Sequence, residues 1–300
     1  MLLLTVVYNS SMECIMDEIK DIKKCFENKK VIIGISECII ENTHFIKFFC
    51  SDDNLNSSSI KTFNLHVANM LYKIVIREFC KSGMGSFLAE TYFFLGHDDI
   101  KQIEPKIVEA LLSEGSISGP NMVYYMNRKN SVIDKITKCI EENNEINISG
   151  FLTFRTKALR LDLECVVDKV VEAYMVEKEY DEFVNLLKYF VEVQESKADE
   201  INIIIGKNGD YYLRDTEGND LMENMIMELP GVKFDSKENQ EELIISTIIT
   251  NAPKKIIIHC VDNCKNKELI QTINKVFVNR VHYCDKCPAC ENIKKGMMGW

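Results

Sequence analysis

Residues 254–290 read KKIIIHCVDNCKNKELIQTINKVFVNRVHYCDKCPAC, and this stretch decides how the end of the chain folds. Lys255–Cys260 carries three consecutive isoleucines before a histidine and a cysteine, which predicts a short buried strand. Leu269, Ile270, Ile273, Val276 and Phe277 recur at three- and four-residue spacing, as one face of a helix over 266–279 does. Arg280–Cys284 predicts a second short strand. Strand, helix and strand in this order make a right-handed β-α-β unit with parallel strands.

The same stretch carries the strongest chemical signal. Cys284, Cys287 and Cys290 are spaced three apart, and a tight turn at that spacing points successive sulfurs at one ion. A closed zinc site takes four ligands and an iron–sulfur cluster takes further cysteines, so the motif alone is one short. Parallel strands end on the same edge of a sheet, where ligands gather in open α/β sheets. His259 and Cys260 end the first strand, and Cys264 follows in the loop. The expected ligands are therefore Cys284, Cys287 and Cys290 with Cys264, Cys260 or His259 as the fourth, holding zinc or an iron–sulfur cluster. The competing reading is a thiol-rich end that binds nothing. Cysteine is a small hydrophobe that is often buried, and a histidine behind three isoleucines is commonly a core residue.

Upstream, Ile201–Ile205, Lys207-Asn208-Gly209-Asp210 and Tyr211–Leu213 predict a hairpin closed by an Asn-Gly turn. Glu241–Thr250 is β-branched enough for a strand, but its paired spacing and the Asn251-Ala252-Pro253 stop favour a helix. The middle of the chain is helical by pattern. Ile60, Phe63, Val67, Met70, Leu71, Ile74 and Val75 share a face. Pro105 suits a first helical position with Gly115 as the stop, and Pro120 suits the start of a helix reaching Ile140. Residues 151–194 predict two more helices. Arg155 with Glu177, Lys178 and Glu179 reads as an ion network tying the two helices together, or else as a solvated elbow, since exposed ion pairs contribute only about 0–1 kcal/mol each.

At the N-terminus, 2–8 predicts a strand. Met12, Ile15, Met16, Ile19, Ile22, Cys25 and Phe26 predict a helix. Val31–Ile40 and His44–Cys50 predict two strands joined at Glu41-Asn42-Thr43. The Ser51–Ser59 stretch, SDDNLNSSS, reads as a linker. The expected architecture is α+β: an N-terminal β-α-β-β unit over 1–56, a helical bundle over 57–198, and an α/β unit over 199–300 with a cysteine-rich end.

The 300 residues are 46% apolar and 27% charged, enough to build a buried core, which excludes a disordered or collagen-like chain. The formal charge of −10 excludes a protein that coats nucleic acid with its whole surface. Lys254–Trp300 nevertheless carries +5, against −15 for the remainder. A basic, cysteine-bearing end could touch nucleic acid or an acidic protein, whereas its lysines could equally be a solvated face.

No apolar run approaches the roughly 18 residues of a membrane span, and the N-terminus lacks secretion-signal features, so a cytoplasmic protein with reduced cysteines is expected. Of the twelve cysteines, Cys25, Cys38, Cys50 and Cys139 sit on apolar stripes and are expected in the core. Ser82-Gly83-Met84-Gly85-Ser86 lacks the lysine and preceding strand of a phosphate loop and is expected to be a helix-breaking turn. Asp52-Asp53 and Asp98-Asp99 suit helix caps. No G-x-S-x-G, H-E-x-x-H or kinase set is present.

Four segments in order carry a family resemblance: FLTFR at 151–155, VEKEYDEFVNLLKYFVEVQ at 176–194, INIIIGKNGDYYLRDTEGN at 201–219 and NAPKKIIIH at 251–259. Together they resemble the YtxC family of sporulation-associated proteins in endospore-forming Firmicutes, over about residues 90–290. The resemblance implies a sporulating organism and a cytosolic role in that programme. It transfers no catalytic residue. The reading that follows is a non-enzymatic sporulation protein acting through an unidentified protein partner. The alternative is a zinc or iron–sulfur module whose basic C-terminal region contacts nucleic acid.

Overall fold

The computed structural model describes residues 1–9, 15–27, 31–51, 57–112, 121–228, 237–284 and 286–295. Met12, the Asp52–Asn56 part of the linker with its two aspartates, Gly115 and Pro120 lie outside the described residues. The fold is α+β. The chain divides into two compact units, Met1–Met175 and Val176–Trp300.

The first unit opens with β1 (Leu2–Asn9), α1 (Ile15–Glu27), β2 (Ile33–Ile40) and β3 (Thr43–Cys50), the β-α-β-β order the sequence predicts. The helices α2 (Ser57–Glu78), α3 (Met84–Thr91), α4 (His97–Leu112) and α5 (Met122–Glu142) follow. The short strand β4 (Glu145–Asn147) then pairs parallel to β1 and completes a sheet of order β2-β3-β1-β4. Three residues are too few to carry a period-2 pattern, so β4 has no signal in the sequence. Leu4, Val6, Ile46 and Phe48 of the sheet share one hydrophobic cluster with Phe63, Val67 and Leu71 of α2.

Several expectations are corrected here. Pro105 lies inside α4, which starts at His97. Asp98 and Asp99 stand in its first turn, and the Asp99 carboxylate accepts the Gly96 N–H at 3.1 Å. That acidic start was the stronger boundary signal. Residues 151–194 form one helix, α6 (Ile148–Val193), instead of two. No Gly or Pro occurs between Gly150 and Val193 to stop it, so the ion network expected of Arg155 with Glu177, Lys178 and Glu179 has no second helix to tie. Ser82–Ser86 does not break the helix. A π-helical turn, Phe79–Gly83, leads directly into α3. A Cβ on Gly83 would meet the Phe79 ring at 3.0 Å, so the widened turn takes glycine. Among the four expected core cysteines Cys50 is buried, Cys25 and Cys139 are half-buried, and Cys38 is exposed on β2.

The second unit contains the rest of α6 and then β5 (Glu200–Ile205), β6 (Tyr211–Arg214), α7 (Leu221–Glu228), α8 (Lys237–Asn251), β7 (Lys255–His259), α9 (Lys267–Val276), β8 (Val281–Cys284) and α10 (Pro288–Lys295). β5 and β6 form the predicted hairpin, with Gly209 of its Asn-Gly turn at φ +81°. The sheet order is β6-β5-β7-β8, and β5, β7 and β8 run parallel. Asn266 caps α9, its side-chain oxygen accepting the N–H groups of Glu268 at 2.9 Å and Leu269 at 3.4 Å. Leu269, Ile273, Val276 and Phe277 of the predicted face join Ile201, Ile203, Ile256 and Ile258 in the core.

Candidate metal centre

The parallel register of β7 and β8 sets His259 directly opposite Cys284. Both strands therefore finish at one edge of the sheet. Beyond Cys284 the chain turns through Lys286 and Cys287 into α10. Pro288 opens that helix, where its missing N–H has no partner to lose. The Glu291 N–H donates to the Cys287 carbonyl at 3.0 Å, so the helical ladder begins on Cys287 itself. Cys290 then falls in the first turn, buried and facing back toward the strand ends.

The result is a compact donor set. The imidazole of His259 and the sulfurs of Cys284, Cys287 and Cys290 present ligand atoms that all lie within 4.8 Å of one another. His259 Nδ1 is 3.3 Å from Cys287 Sγ and 3.5 Å from Cys290 Sγ, and the two sulfurs are 3.6 Å apart. A tetrahedral ion with bonds of about 2.3 Å holds its donor atoms roughly 3.8 Å apart, so this spacing suits a single ion. A cluster interposes two or four irons and their sulfides between its cysteines and needs a wider ligand set.

His259 is prepared for the role from its far side. Its Nε2 is 3.0 Å from Oδ1 of the buried Asn202 on β5. An amide oxygen only accepts, so Nε2 carries the proton and Nδ1 presents its lone pair to the sulfurs. Burial pushes the imidazole pKa below the ordinary histidine value, against the opposing pull of Glu200, and so keeps the ring neutral. Asn202 interrupts the isoleucines of β5 at a core position. A lone polar residue in such a run was the signal available in the sequence.

The thiols are graded. Burial alone would raise the Cys284 thiol. The main-chain N–H groups of Lys286 and Cys287 and the thiols of Cys287 and Cys290 reverse that and hold it below the usual value. The Cys290 N–H similarly points at Cys287 Sγ at 3.5 Å. Burial, followed by the neighbouring Cys287 and Cys260, pushes the Cys290 thiol up. Three thiolates cannot share this space without a cation among them. The N–H donors to sulfur and the positive end of α10 stabilise negative charge there.

The other two expected ligands are placed differently. Cys260 is buried, with left-handed backbone (φ 54°) and its sulfur 3.9 Å from the Cys290 carbonyl. It neighbours Cys290 but stands outside the four-residue set. Cys264 is turned toward β6, its sulfur 3.1 Å from the Asn266 carbonyl and 3.4 Å from the Tyr211 hydroxyl.

Three lysines of this basic region pair with carboxylates of their own unit. Lys254 pairs with Asp199 at 2.7 Å, Lys255 with Glu200 at 2.8 Å and Lys275 with Asp181 at 3.0 Å. Arg280 donates to the Pro253 carbonyl at 3.1 Å. Residues 176–300 contain 16 Lys or Arg and 22 Asp or Glu, a net of −6.

Comparison with known proteins gives two matches. The YtxC-like family matches residues 65–282, most of the chain, and the chain belongs to that family. The matched span includes His259 and Asn202 and ends before Cys284. "Uncharacterized protein YtxC" of Bacillus subtilis (strain 168) is 23% identical over 271 residues, covering 82% of this chain and 92% of that protein. No solved structure matches. Among the described residues, no helix is long and apolar enough to cross a membrane.

Proposed function

We propose that this member of the YtxC-like family is a non-enzymatic metal-binding protein that holds one zinc-type ion between His259, Cys284, Cys287 and Cys290. The observation that carries the reading is the donor set itself, with four ligand atoms within 4.8 Å of one another. Four protein donors close a tetrahedral shell and leave no position for a reacting water, so the ion is structural. Its effect is to fasten α10 and the end of β8 to the end of β7. β8 is an edge strand of only four residues, and such a strand contributes little stability by its own pairing.

Elemental analysis of protein purified without oxygen tests this. One equivalent of metal per chain is expected, lost in Cys290→Ser. Metal-free protein with every thiol titratable overturns it. A visible charge-transfer spectrum with two or four irons per chain would favour a cluster over the single ion.

In the cell we place the protein in the cytoplasm and in the sporulation programme, acting through contacts with other proteins. The resemblance of the 151–259 segments supports this role. A deletion strain with normal spore yield and resistance would refute it. Nucleic-acid binding has less support, because three lysines of the basic end are paired to acidic residues and the unit is net acidic.

A further inference from the structure

The part of α6 beyond Met175 has two apolar faces. Val184 and Val191 are buried in the core of the second unit, with Tyr180 and Leu187 packed partly against it. On another face Val176, Phe183, Leu186, Tyr189, Phe190 and Val193 recur at three-, four- and seven-residue spacing and are 45–63% exposed. A surface helix normally carries one apolar stripe; this one carries two, and the second is left about half exposed among the described residues.

We infer that the second stripe is the interface of a homodimer in which two copies of α6 pair antiparallel. Two arguments select a second copy. The first is area. Three aromatic side chains of roughly 150–250 Å² left about half exposed, with the smaller Val176, Leu186 and Val193 beside them, offer on the order of 500 Å² a side, and two stripes face to face approach the roughly 1,000 Å² that a specific interface needs. The second is the arrangement of charge. Glu179 and Glu182 are the charged residues within the stripe, and both lie toward its N-terminal end. Setting Phe183 against the second copy's Leu186 also sets Val176 against Val193. Glu179 then lies level with the second copy's Phe190, and Glu182 is offset from its own copy by about 7.5 Å along the helix axis, so like carboxylates are not stacked. A parallel pair would stack each glutamate on its own copy, which like charges oppose. A two-fold axis between Phe183 and Leu186 makes the contact isologous and closed, so association stops at two. The inference does not depend on the metal reading.

Sedimentation of the full chain at micromolar concentration tests it. A dimer is expected, with its dissociation constant raised at least tenfold in Phe183→Asp and in Phe190→Asp. Glu192→Lys, exposed on the polar side of the same helix, should leave the dimer unchanged, and unaltered helical circular dichroism shows that the variants fold. A Val176→Cys/Val193→Cys double variant should cross-link residue 176 of one copy to 193 of the other, identified by peptide mass. A monomer at all concentrations, a dimer that survives both aspartate variants, or 176-to-176 cross-links would overturn the proposal.

Discussion

His259 Nε2 lies 3.0 Å from Asn202 Oδ1 although 57 residues separate them in the chain. This contact between β7 and β5 fixes the imidazole tautomer and turns Nδ1 toward the cysteines. Asn202→Ala should therefore weaken zinc binding by about 10–100-fold while all four ligands remain. Competition with a chromophoric chelator measures it. Wild-type affinity in the variant would mean that the contact does not position the ligand.

The proposed site divides the cysteines into ligands and bystanders. Cys287→Ser and Cys290→Ser should each abolish stoichiometric metal, whereas Cys264→Ser should keep it, because the Cys264 sulfur is directed at the Asn266 carbonyl and the Tyr211 hydroxyl. Metal content of the three purified variants decides. Loss in Cys264→Ser would exchange the fourth ligand.

Chelation should act on stability as well as on content. A structural ion adds binding free energy to folding, so a chelator should lower the unfolding midpoint of wild type and leave that of Cys290→Ser unmoved. Thermal scans with and without chelator read this, and an equal drop in both proteins would point to some other cation.

Asp162 gives a pH-dependent expectation in the first unit. Burial alone would raise its carboxyl, but hydrogen bonds from Lys135 at 2.6 Å, Arg128 at 3.1 Å and Ser131 at 3.3 Å hold it below the ordinary carboxylate value. A depressed folded pKa contributes stability above the unfolded value of about 3.9 and loses it as pH falls through the folded one. Asp162→Asn should thus cost about 1–3 kcal/mol at pH 7, below the roughly 3–5 kcal/mol of a fully buried pair because both cations are partly exposed, and little near pH 2. Denaturant unfolding at the two pH values tests the difference. An equal cost at both would show that charge is not the cause.

Two glycines near the π-helical turn should respond oppositely to alanine. Nothing lies within 4 Å of a Cβ on Gly85, so Gly85→Ala should stabilise by about 0.4–1 kcal/mol. At Gly83 the new methyl meets the Phe79 ring at 3.0 Å, and Phe79 is buried, so Gly83→Ala should give no gain or a loss. Similar gains at both would mean that the widened turn relaxes freely.

Local chemistry was enough for the elements whose signal is local. The Asn-Gly hairpin, the face of α9, the β-α-β-β start and the Cys284–Cys290 turn are each encoded within a few consecutive residues, and the sequence alone determines them. The same locality misled where one residue was given too much weight. Pro105 suits a helix start, yet Asp98 and Asp99 stand in the first turn that precedes it, and 151–193 reads as two helices although no Gly or Pro within it breaks one. The choice of fourth ligand was different in kind. Cys260, Cys264 and His259 are equally near Cys284 by topology, and side-chain direction brings His259 into the proposed donor set. Alternation along β7 turns His259 to the cysteines, Cys260 has left-handed backbone and its sulfur lies near the Cys290 carbonyl, and the loop gives Cys264 to Tyr211. Those directions, and the reach of Asn202 from β5, come from strand pairing between distant segments, which only the tertiary structure fixes.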